Sequence, residues 1–168
     1  MKTKILMLAF TLFLIPSLSQ AQKWTKVKSK EGKFEMEFPA EPKMEKKEKD
    51  DSKTFQYQLT HKDVIYMASA VVHDTKLDVE GLTKESLAES SMDAFANVMG
   101  GKILKKGDFK LGKNVGKSCS IENKEKGFLC YYKCIISGQI QYRFIVMNAP
   151  SVDDKKSRAR YFASIKTK

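Results

Sequence analysis

The apolar residues of this chain change period as it is read, and each period predicts an element. In "KFEMEF", Phe34, Met36 and Phe38 alternate with charged residues, so a pleated strand would bury one face and wet the other. Glu35 and Glu37 fall on the wet face by that alternation alone, which is no sign of a paired-carboxylate catalyst. Pro39 and Pro42 close the strand, because neither can donate to a ladder. The run "KMEKKEKDDSK" has no apolar period and predicts a solvated loop of mixed charge. Alternation resumes at Phe55, Tyr57 and Leu59, and the "THKD" turn leads into "VIYMASAVV". That run is apolar at both parities, as in a central strand covered on both faces.

The period then becomes helical. Leu87, Met92, Phe95 and Met99 recur at helical spacing in "LTKESLAESSMDAFANVMGG", Thr83 can cap the start, and Gly100 and Gly101 supply a left-handed stop. Short strands broken by Gly107, Gly112 and Gly116 follow. These glycines lack the Gly-Lys-Ser/Thr ending of a phosphate loop, so turns account for them. "FLCYYKCIISGQIQYRFIVM" then holds two β-rich runs separated at Ser137 and Gly138, a hairpin signal. A last helix is predicted with Ser151 as N-cap and Asp154 in its first turn, Lys155, Lys156, Arg158 and Arg160 further on, and Val152, Ala159 and Phe162 inward. With no repeat and no second composition block, the order implies one α+β domain, an antiparallel sheet with helices packed on it.

Residues 1–21 carry two lysines, an apolar run from Ile5 to about Leu18 and the small residues Ser19 and Ala21, which is the pattern of a secretory signal peptide. The run is shorter than the roughly 20 residues a spanning helix needs, and Pro16 interrupts it. The expectation is an exported protein, periplasmic or extracellular, with a single domain over 22–168 and no transmembrane segment in that part. Removing Lys2 and Lys4 takes the formal charge from +11 to +9. Such an excess suits an anionic partner. Yet only Arg143, Arg158 and Arg160 among the 31 basic residues are arginines, and lysine does not fork onto phosphates and base edges. No nucleic acid partner is expected.

All three cysteines lie in "SCSIENKEKGFLCYYKC". On a strand, Cys130 and Cys134 stand about 13 Å apart, too far to share one zinc or to bridge each other. His61 and His73 are distant in sequence, and the methionines are dispersed as core filling, so no metal and no cofactor is expected. Export permits one disulfide. A long loop sets Cys119 opposite Cys130, the preferred pair, and a two-residue turn at Lys126 and Gly127 sets it opposite Cys134. Both registers keep Cys119 on one face, and three buried thiols are the third possibility. No nucleophile elbow or flanking signature marks a catalytic residue.

"EGKFEMEFPAEPK", "FANVMGGKIL", "FKLGKNVGKS", "IQYRFIVM" and "YFASIK" together resemble the PsbP-like family. The resemblance implies an antiparallel sheet sandwiched between helices (α/β/α), and the behaviour of an accessory binding protein without catalysis. Bacterial exported members are largely of unknown role, and no photosystem or Ran site is matched residue for residue. Three functional classes follow as expectations. The first is an exported, non-enzymatic binding module for an unidentified protein or envelope component. The second is a small exported enzyme or thiol-redox protein using Cys134. The third is attachment to anionic envelope surfaces through Lys102, Lys105, Lys106, Lys110 and Lys113.

Overall fold

A computed structural model describes residues 23–77, 81–152 and 154–167; the signal peptide expected over residues 1–21 lies outside them. The strands are β1 (Thr25–Ser29), β2 (Phe34–Phe38), β3 (Lys43–Lys49), β4 (Ser52–His61) and β5 (Val64–His73), then helix α1 (Lys84–Met99). After it come β6 (Lys102–Leu111), β7 (Asn114–Asn123), β8 (Phe128–Ser137) and β9 (Ile140–Asn148). A single 3₁₀ turn (Pro150–Val152), helix α2 (Lys155–Ala163) and the short β10 (Lys166–Thr167) complete the order. Two antiparallel sheets result, one of seven strands in the order β3-β4-β5-β9-β8-β7-β6 and one of three in the order β1-β2-β10. No helix among the described residues is long and apolar enough to cross a membrane.

Tight turns carry this meander. At "THKD", Lys62 and Asp63 both take positive φ (49° and 60°), the primed geometry whose twist matches the flanking strands. Ser137 pairs with Ile140 across Gly138, so the hairpin expected there forms with a two-residue loop. The doubly apolar β5 lies between β4 and β9, inside the large sheet.

One face of the large sheet packs on the small sheet and α2. Phe34, Met36 and Phe38 of β2 meet Tyr66 and Ala68 of β5, Tyr142 and Phe144 of β9, and Tyr161 of α2 in one buried cluster. Ring edges meet ring faces across it, Phe34 to Phe144 at 6.1 Å and Phe38 to Tyr161 at 5.3 Å. The opposite face carries α1, whose Ala88, Met92 and Ala96 sit on Cys119, Ile121, Cys130, Tyr132, Cys134 and Ile145. Thr83 caps α1 and Gly100 ends it in the left-handed region, as its sequence predicts. Gly101 has a different role: a Cβ there would lie 2.3 Å from Ile121 Cγ2, so the missing side chain lets the helix end close onto β7.

The α/β/α sandwich expected from the sequence is therefore corrected. The fold is mostly β, with two sheets and two helices, and a second sheet shares with α2 the layer that a helical layer was to supply. The first strand's alternation predicts a half-buried strand equally well in either architecture, because period two does not say what lies on the buried side. Two local expectations change as well. "KMEKKEK" is the edge strand β3, paired along its whole length with β4 and exposed throughout. The cap of α2 is Asp154, not Ser151, with the Asp154 carboxylate accepting from the Ser157 N–H at 3.0 Å. Tyr161 is its buried residue, and Ala159 faces solvent.

The edges explain much of the lysine excess. Lys43, Lys46, Lys47 and Lys49 lie on edge strand β3, and Lys102, Lys105, Lys106 and Lys110 on edge strand β6. A bulge between Ile103 and Lys105 also interrupts β6. Charged, bulged edges discourage strand addition by other chains.

Candidate functional site

The register of β7 and β8 settles the geometry of the cysteines, and neither expected pairing occurs. Ile121 faces Cys130, Cys119 faces Tyr132 and Lys117 faces Cys134, a register midway between the two anticipated. Its cause is Asn123, which is 4% exposed and ends β7 opposite Phe128. The Asn123 Nδ2 donates to the Met99 and Gly100 carbonyls at 3.1 and 2.9 Å, and its Oδ1 accepts from the Lys126 N–H at 2.8 Å. One side chain thus closes the end of α1 and shapes a four-residue loop.

Cys119 consequently lies diagonal to both Cys130 and Cys134. Diagonal Cβ atoms in a sheet stand roughly 7–8 Å apart, against the about 4 Å a disulfide needs. All three thiols are free and buried. Burial pushes Cys130 up to about 12 and Cys119 up to about 11, so both stay protonated. Cys134 is also raised by burial, against hydrogen bonds from Tyr132 and Ser91 and the Arg143 charge. A thiolate mechanism has no support here. His73 is four residues along β5 from Ser69, which is level with Arg143 and hence with Cys134. That places it about 13 Å further along the sheet. Among the described residues no three His, Cys, Asp or Glu side chains gather as a metal site would require.

A different place collects charge. Between α2 and strands β6 to β8, on the face shared with the small sheet, a groove of about 290 Å³ is lined by Lys105, Ser120, Tyr131, Lys133, Arg158 and Phe162 among others, with no carboxylate in its wall among the described residues. Lys133 comes from the middle of β8, where strand alternation turns it toward α2. Its ammonium lies 4.8 Å from the Phe109 ring centre and 4.7 Å from that of Phe162. The negative ring faces offset part of its lost hydration. Burial still holds its pKa below the usual lysine value. Arg158 stacks on Tyr131, with 3.6 Å from the guanidinium carbon to the ring centre. The Phe109 and Phe162 rings thus fix the Lys133 ammonium in place and leave its outer edge for an anion.

Of the five lysines proposed from sequence for anionic surfaces, Lys105 and Lys106 line this groove. The Lys106 ammonium is committed to Glu89 and Asp93 of α1, at 3.3 and 2.8 Å. Lys133 and Arg158 were absent from that set. The available signal for Lys133 was its isolation in "FLCYYKCIIS", a strand otherwise free of charge.

No protein-family model matches the chain, and no curated protein does. A solved structure from Bacteroides thetaiotaomicron is similar at 10% identity and a TM-score of 0.38, over 82% of this chain and 46% of that one. The chain thus spans less than half of that protein's length.

Proposed function

We propose that the protein is an exported, non-enzymatic binding module that seats an anionic envelope component, such as a phosphate-bearing headgroup, in the groove between α2 and β8. The observation that carries this reading is Lys133. It is half-buried, has no carboxylate partner among the described residues, and stands with Lys105 along a wall that holds no acid among those residues. A cation held in that way costs stability, and a bound anion removes the cost. The PsbP-like resemblance supports only the class of behaviour, an accessory binder.

Binding to vesicles containing phosphatidylglycerol, compared with vesicles of phosphatidylcholine alone, tests the reading. The K133M variant should lose about tenfold or more in affinity while its melting temperature rises, because methionine fills the same slot without a charge. Glycerol phosphate should compete. Unchanged vesicle binding by K133M would sink the proposal.

A further inference from the structure

Helix α1 has two unlike flanks. Glu85, Glu89 and Asp93 follow one another at four-residue spacing, and Glu89 and Asp93 reach Lys106 on β6. The other flank presents Ser91, Ala94, Phe95 and Val98 to a cleft of about 250 Å³ whose wall also includes Tyr132 and Arg143. Phe95 stacks on Tyr132 at 4.6 Å between ring centres, and the Ser91 and Tyr132 hydroxyls are hydrogen-bonded at 3.1 Å. Val98, on the same flank, is 82% exposed.

Arg143 is the charge in this cleft. It lies on β9 between Ser69 of β5 and Cys134 of β8, at the edge of the area α1 covers. One Nη donates to the Gln141 Oε1, while the buried Nε has no acceptor among the described residues. No carboxylate pairs with it among the described residues, since the acids of α1 lie on the far flank. A half-buried guanidinium beside an apolar wall calls for an anion that brings its own hydrocarbon.

We propose that this cleft binds a small organic acid with an apolar body. The Arg143 guanidinium receives the carboxylate as a fork, and Ala94, Phe95 and Val98 cover the hydrocarbon. The carboxylate has two possible sources, a free amphiphilic acid or the C-terminus of a polypeptide. This site is on the opposite face of the sheet from the Lys133 groove and is independent of it.

Backbone amide NMR titration of the purified protein tests the proposal with four probes: octanoate, octanol, and N-acetyl-leucyl-phenylalanine as free acid and as amide. At least one acid should shift the amides of residues 91–98 and 143, and its uncharged counterpart should bind about 10- to 100-fold more weakly. R143Q should lose affinity by a similar factor, and R143K should recover part of it. V98D, at a solvent-facing position, should weaken binding by charge repulsion with no change in melting temperature. Octanoate binding alone assigns a free amphiphile, and preference for the peptide acid assigns a polypeptide terminus. Equal binding of acids and uncharged counterparts, unaltered binding by both R143Q and V98D, or no response to either acid at millimolar concentration would each overturn it.

Discussion

The two faces of the seven-stranded sheet are closed by different means. Toward the small sheet, Phe34, Phe38, Tyr66, Tyr142, Phe144 and Tyr161 interlock, and each is at most 2% exposed. Toward α1, the helix contributes alanines at positions 88 and 96 around Met92, over cysteines, isoleucines and a single tyrosine. Large rings span the gap between two layers at sheet-packing distance, roughly 10 Å, whereas small side chains let a helix lie close. The aromatic face is covered by two elements, and the other by one helix centred on β7 and β8, which leaves a helix flank and Arg143 lining a cleft. Each face thus acquires a cleft that holds a cation at the margin of its cover.

That contrast can be broken experimentally, most strongly on the aromatic side. Phe34→Ala, with rings from Tyr57, Tyr142 and Phe144 around it, should cost about 3–5 kcal/mol in urea unfolding. A loss below about 1 kcal/mol would mean that the small sheet is not part of the same cooperative core. On the helix side, Asn123→Ala should cost about 1–3 kcal/mol, since it removes three hydrogen bonds at a buried site. It should also speed labelling of Cys119 and Cys130 by a thiol reagent. Equal labelling rates in variant and parent would show that the loop does not hold this end of the structure.

Tyr161→Phe probes the aromatic side more finely. The Tyr161 hydroxyl is buried with no hydrogen-bond partner among the described residues, so its removal should leave stability unchanged or raise it by up to about 1 kcal/mol. A clear loss in thermal unfolding would reveal a partner for that hydroxyl.

The smallest effect belongs to the outer surface of the small sheet. Hydrogen bonds from Lys26 and Lys28 hold the Glu35 carboxyl down to about 2, from an ordinary value of 4.5. A carboxyl lowered on folding contributes stability that is fully present above 4.5 and is lost as pH falls toward 2. Glu35→Gln should flatten the acid limb of the stability curve in that window and leave neutral pH nearly unchanged. An identical acid limb would show these exposed pairs to be inert.

Much of this was legible residue by residue. The strand at Phe34–Phe38, the doubly apolar β5, the capped helix ending at Gly100 and the hairpin at Gly138 were all carried by local period and local turn chemistry. The edge strand β3 was not, because its ladder to β4 is made by the backbone and leaves no apolar mark in "KMEKKEK". Nor was the identity of the second layer, since β2 announces a buried face without naming its neighbour. The Lys133 groove was half visible, as a lone charge in an apolar strand.

The cysteines mark the boundary between the two kinds of information. Alternation alone placed Cys119 on the face shared with Ile121, and strand geometry separated Cys130 from Cys134. It could not choose the register, because sliding one strand by two residues preserves every inside and outside position. That choice required a contact across 24 residues, the Asn123 amide on the Met99 carbonyl, which no period in "SCSIENKEKGFLCYYKC" encodes. The convergence of Lys133 with Arg158, and of Arg143 with Phe95, has the same origin. Side chains from separate elements meet only where packing brings their faces together.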